Sequence, residues 1–125
     1  MAEITLEVLH AGTVVFSSSG KWLHPLFELQ EYLDRSDYAV EEITVRDKIV
    51  GRAAALLMAR LGIRHVEAGI LSEVAESVFA RYGITYSYDT LAPRILCKTE
   101  ELLEDVDDLE EAYQLLAARA AQRAR

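Results

Sequence analysis

The chain has 125 residues, 51% hydrophobic and 27% charged, the make-up of one globular domain that buries roughly two-thirds of its unfolded surface without needing disulfides or a metal. Its single cysteine, Cys97, excludes an internal disulfide, and no apolar run approaches the roughly 20 residues that span a bilayer, so a cytoplasmic protein with no membrane partner is expected. The net charge of −8 is concentrated in the acids between Glu100 and Glu111, which leaves a nearly neutral body with no basic stripe and argues against nucleic acid as a partner.

Met1 to His10 alternates apolar and polar residues, the pattern of a strand and not of a signal peptide. His10-Ala11-Gly12-Thr13 supplies turn chemistry and Val14-Val15-Phe16-Ser17 resumes the extended pattern, which predicts a hairpin. After a surface turn at Ser17-Ser18-Ser19-Gly20-Lys21, the spacing of Leu23, Leu26, Phe27, Leu29 and Leu33 predicts a helix from about His24 to Asp34, with Pro25 tolerated in its first turn. Tyr38 to Arg46 reads as a third strand, Asp47 as the cap of a second helix running from Lys48 to Leu61, and Gly62 as its stop.

Arg64 to Ile70 predicts a fourth strand. Ser72 reads as the N-cap of a helix that buries Val74, Ala75, Val78, Phe79 and Tyr82 and is closed by Gly83. Ile84 to Tyr88 predicts a fifth strand, with Tyr86 and Tyr88 as core or rim packing, and Arg94 to Cys97 a short edge strand after Pro93. A last helix, Lys98 to Ala121, places Leu102, Val106, Leu109, Tyr113, Leu116 and Ala120 on one stripe. That stripe either packs on the chain's own domain or pairs with a second subunit, which makes the protein a homo-oligomer, a dimer first. Alternating strands and helices with short connections predict an α/β fold, a three-layer α-β-α sandwich with a mixed sheet plus a C-terminal amphipathic helix.

The chemistry is concentrated at Arg46-Asp47-Lys48-Ile49-Val50-Gly51-Arg52, read as a strand end running into a small-residue helix. Two helix starts at the C-terminal ends of neighbouring strands would aim free N–H groups and positive dipole ends into one crevice. Lys48 would add a point charge there, Gly51 would allow close approach, and Asp47, Ser72, Glu73 and Glu100 would supply acceptors. The plain alternative makes Asp47 and Ser72 helix caps and Lys48 a solvated residue. Gly51 resists that alternative, because a glycine inside a helix costs about 1 kcal/mol against alanine. The candidate binding residues are therefore Asp47, Lys48, Gly51, Ser72, Glu73 and Glu100, and the candidate catalytic residues Asp47, Lys48, Glu73 and Cys97, the last as a thiol of lowered pKa or simply a buried small hydrophobe. The expected partner is a small anionic or nucleotide-like ligand.

No metal and no cofactor is expected. A zinc deaminase needs a His or Cys two residues before a Glu at one helix start and a Pro-Cys-x-x-Cys at the next. The predicted helix starts carry Asp47-Lys48-Ile49 and Ser72-Glu73-Val74 instead of either motif, and His10, His24 and His65 have no companion at ligand spacing. The glycine spacing of a Walker loop is absent as well.

In order, Val15-Phe16, Gly20, Pro25-Leu26, the block Asp47-Lys48-Ile49-Val50-Gly51-Arg52-Ala53-Ala54-Ala55-Leu56-Leu57, Leu71-Ser72-Glu73 and Cys97-Lys98-Thr99-Glu100 resemble the successive motifs of the DUF1893 family. The resemblance covers about Val14 to Glu100 and implies a cytidine-deaminase-like fold without the zinc motifs; the expected domain is residues 1–99, with 100–125 a helix packed on the same domain that extends past the family core. No activity is established for that family. The rival to a small-molecule site is a structural or regulatory homo-oligomer without catalysis. The chain departs from the pattern where Lys98 replaces a proline and where no Asn-Arg element precedes Cys97.

Overall fold

A computed structural model describes residues 4–20, 23–93 and 108–123. The elements run β1 (Leu6–His10), β2 (Thr13–Ser18), α1 (His24–Arg35), β3 (Ile43–Val50), α2 (Arg52–Leu61), β4 (His65–Ser72), α3 (Glu73–Arg81), β5 (Thr85–Ala92) and α4 (Leu109–Arg123), with a 3-10 turn at Val40–Glu42 before β3. The five strands form one mixed sheet in the order β2-β1-β3-β4-β5. β1 is antiparallel to both its neighbours, while β3, β4 and β5 are parallel and joined by α2 and α3. The α/β class, the mixed sheet and the C-terminal helix are those the sequence predicts.

The hairpin turns on Ala11 and Gly12, whose φ values of 51° and 81° are both left-handed and which lie between the paired His10 and Thr13. This is the two-residue loop whose twist matches that of the strands. Alanine bears a steric cost in that conformation which asparagine largely avoids. Ala11→Asn is therefore expected to stabilise the protein by about 0.5–1 kcal/mol, read as a higher urea midpoint with an unchanged slope.

α1 begins with Pro25 in its first turn and buries Leu26 and Leu29. α2 ends where Gly62 adopts φ 85°, as the stop at that glycine predicts. Six successive residues of α2, Ala53 to Met58, are buried, so this helix is covered on all sides. It packs against β3, has α1 and α3 beside it, and meets α4. α4 is fixed to it by fully buried Ala112 and Leu116, by Arg60 stacked 3.6 Å from the Tyr113 ring centroid, and by Arg60 Nε donating to Glu110 Oε2 at 3.0 Å. The stripe on this part of the last helix thus serves its own domain, and Ala112 and Leu116 are not available to a second subunit.

Several expected boundaries move, among them the ends of β4 and β5, which run on to Ser72 and Ala92 instead of stopping at Ile70 and Tyr88. β3 does not end at Arg46: it continues to Val50, because Thr44, Val45, Ile49 and Val50 are β-branched and pair with β4. α2 consequently starts at Arg52 instead of Lys48, and Gly51 is its N-cap in extended backbone (φ −102°), so the helix-interior cost ascribed to Gly51 does not arise. Among the described residues the last helix starts at Leu109, capped by Asp108 Oδ1 accepting the Glu111 N–H at 2.8 Å; the expected stretch from Lys98 to Asp107 lies outside them. Ser18, expected in a surface turn, is the buried end of β2, where its hydroxyl donates to Glu28 Oε2. The predicted strand at Arg94–Cys97, with Cys97 and Glu100, lies outside the described residues.

Candidate functional site

Parallel pairing brings Val50 beside Leu71, so the next residues, Gly51 and Ser72, start α2 and α3 side by side at the C-terminal ends of β3 and β4. The two starts differ in chemistry. Ser72 is fully buried and its Oγ accepts the Ala75 N–H at 3.0 Å, so α3 is closed by its own cap, as the sequence predicts. α2 has no side-chain cap; Gly51 contributes only its carbonyl, which accepts the Ala55 N–H at 3.0 Å. Glu73 is exposed in the first turn of α3.

Asp47 and Lys48 are not at these helix starts. Both lie within β3, where the sheet has an unusual feature. Along β3 the buried positions are Ile43, Val45 and then Val50; along β4 they are Val66, Ala68 and then Leu71. Strict alternation would bury Ile49 and Ile70, yet these are 51% and 38% exposed. Each of these two strands therefore turns two successive residues outward, Lys48 with Ile49 and Gly69 with Ile70, while on β5 the whole run Ser87 to Thr90 is exposed. The ladders pass from Asp47↔Ala68 to Ile49↔Ile70 and from Ala68↔Tyr88 to Ile70↔Thr90 without a change of register. The result is a crease across β3 and β4. Gly69 makes it possible, since a Cβ there would lie 2.6 Å from the Lys48 carbonyl oxygen.

The two candidate residues line the same depression but differ in burial. Asp47 is the more enclosed, flanked in register by Leu6 and Ala68, which are 1% and 6% exposed. Burial pushes its carboxyl up to about 7, against the opposing effect of N–H bonds from Lys48 and Ile49. A carboxyl titrating there can give or take a proton at neutral pH. Lys48 turns outward. With Arg46, Asp47, Glu67, Gly69 and Asp89 it lines an open depression of about 450 Å³ over the sheet. Arg46 at its rim is held by two carboxylates, Glu67 Oε1 at 3.1 Å and Glu7 Oε1 at 3.5 Å, along a straight line of register from β1 to β4.

The structure thus joins Asp47 and Lys48 with Gly69, Glu67 and Asp89, and joins Gly51 with Ser72 and Glu73, but it does not merge the two groups into the single crevice the sequence suggests. Sequence reasoning missed Gly69, and the signal was present: an isolated glycine inside a strand pattern marks a bulge or a close backbone approach. Among the described residues no three His, Cys, Asp or Glu side chains are grouped to hold a metal ion, and no helix is long and apolar enough to cross a membrane. His10 is engaged with the ring of Tyr38 at 4.7 Å and with Glu42 at 3.5 Å.

The geometry defines an α/β domain with a mixed five-stranded sheet, paired helix starts at the ends of two parallel strands, and a creased sheet face. The chain belongs to the DUF1893 family: the family model, described as a domain of unknown function, matches residues 3–119. A similar solved structure is the crystal structure of a DUF1893 family protein from Thermotoga maritima, 30% identical, with a TM-score of 0.81 and an alignment covering 93% of this chain and 80% of that one. No functionally curated protein matches the chain.

Proposed function

We propose that this is a small-molecule-binding domain of cytidine-deaminase-like ancestry, working without a metal, whose ligand sits in the depression over Gly69. The observation that carries this reading is the crease itself, which leaves a side-chain-free notch at Gly69 between Lys48 on one strand and Asp89 on another. Both signs of charge line the notch, and Arg46 is already neutralised by Glu7 and Glu67. A polar molecule with donors and acceptors of its own, such as a nucleoside-like or zwitterionic metabolite, suits that lining better than a bare anion. Lys48 donates to the ligand, and Asp47 beneath it tunes the strand that carries Lys48.

Lys48→Met tests the proposal, because it removes the ammonium and keeps the aliphatic stem at an exposed position. Nucleosides, nucleotides, amino acids and metabolite acids are screened by thermal shift against both proteins. A ligand at a hundred times its dissociation constant stabilises by about 2.7 kcal/mol, so a genuine hit raises the parent's melting temperature and loses most of that effect in the variant. Equal stabilisation of both proteins removes Lys48 from the site, and no stabilisation of the parent by any compound removes the site.

A further inference from the structure

A second depression, of about 480 Å³, lies at the other end of the domain from the paired helix starts, where Arg64 and Ile84 lead into β4 and β5. Its floor is apolar: Ile63 and Ile84 are 1% and 5% exposed, and Ala59 and the partly buried Tyr82 stand beside them. The charged residues that line it are Glu41 and Arg64. Both are exposed, and among the described residues neither side chain makes a hydrogen bond or an ion pair, with the other or with any third group.

The two charges are set on different sides. Glu41 belongs to the 3-10 turn that adjoins the end of α2, where Val40 Cγ1 lies 3.7 Å from the place a Cβ on Gly62 would take. Arg64 reaches toward the end of α3, with Nη2 3.8 Å from the place a Cβ on Gly83 would take. α2 and α3 both finish at this depression, just before the left-handed glycines Gly62 and Gly83, and each brings the negative end of its dipole to it. Arg81, the other cation at the end of α3, lies over the Tyr82 ring at 5.5 Å, which leaves Arg64 as the guanidinium of the lining.

We propose that this depression binds an α-amino acid with an aliphatic side chain, its ammonium group on the Glu41 side, its carboxylate at Arg64 and its side chain on Ile63 and Ile84. The charge pattern selects the class. A bare anion meets two negative helix ends and Glu41, and a bare cation meets Arg64, whereas a molecule with both charges finds a partner for each. A guanidinium is the side chain best shaped to take a carboxylate through two parallel hydrogen bonds. The volume is within the range of small-molecule sites, and the apolar floor between the two charges gives an aliphatic chain surface to cover. This inference is independent of the ligand site over Gly69, with which it shares no residue.

The test is titration of the isotope-labelled full chain with L-leucine, followed by the backbone amide signals in NMR spectra. Saturable shifts are expected at Gly62, Arg64 and Ile84. Isopentylamine and isocaproate, which carry one charge each on a similar aliphatic body, are expected to bind roughly tenfold more weakly. Glu41→Gln and Arg64→Gln, both at exposed positions, are each expected to raise the leucine dissociation constant by roughly tenfold or more with the rest of the spectrum unchanged. Lys48→Met is expected to bind leucine as the parent does, which separates this depression from the one over Gly69. The absence of saturable shifts overturns the proposal, as does a single-charge analogue that binds as tightly as leucine, or leucine binding that Lys48→Met weakens or that Glu41→Gln and Arg64→Gln leave intact.

Discussion

Replacing Asp47 by asparagine is expected to change how stability depends on pH, and to do so with a sign opposite to that of most carboxylates. In the folded protein the Asp47 carboxyl titrates at about 7, whereas in the unfolded chain it has the ordinary value near 4. The folded state therefore holds this proton more tightly. Its contribution is fully present below about pH 4, is lost progressively as the pH rises to about 7, and stays lost above that. A displacement of that size corresponds to about 4 kcal/mol at pH 8. Asparagine keeps an oxygen to accept the Lys48 and Ile49 N–H groups but cannot ionise. Urea denaturation of both proteins from pH 4 to pH 8 should show the variant gaining on the parent steadily through that window. Parallel curves would mean that Asp47 is better solvated than its place between Leu6 and Ala68 implies.

Gly69→Ala is expected to be among the costliest single-methyl additions in the chain. The new Cβ would lie 2.6 Å from the Lys48 carbonyl oxygen, and because that atom is backbone it can retreat only if β3 and β4 part. Overpacking of this kind costs about 2–3 kcal/mol, which for a domain of this size lowers the melting temperature by about 10 °C. Alanine at Gly69 with a melting temperature within a degree or two of the parent would show that the strands separate easily there. The crease would then not be a rigid feature of the sheet.

The parts of the fold legible in the sequence are those that one or two residues decide locally. Ala11-Gly12 can make only a tight turn between alternating strands, Pro25 belongs in a first helical turn, Gly62 takes the left-handed conformation that stops α2, and Ser72 caps α3. Asp47 misled because a short acceptor before a small-residue run has the form of a helix cap. Its carboxylate instead takes the N–H groups of its own strand, and the β-branched pair Ile49-Val50 keeps the chain extended for three residues more. That slip moved Lys48 and Gly51 into a helix neither occupies, and it joined two groups of candidate residues that the sheet holds apart. The crease was harder to see. It appears in the sequence only as a change of phase in the alternation, Val45 to Val50 on β3 and Ala68 to Leu71 on β4, and a change of phase in one strand is indistinguishable from a strand end. Only the registered neighbours show that the strands change phase at one level.

Because the phase changes fall on one level, they act as a key for assembly. In an even strand, sliding by two residues keeps every side chain on its proper face, and such a slipped sheet competes with the native one. Here any slide would set the doubled outward pair of one strand against the regular stretch of its neighbour and would move Gly69 away from the Lys48 carbonyl. β3 and β4, two parallel strands that must find each other across α2, are thereby left with a single alignment that closes.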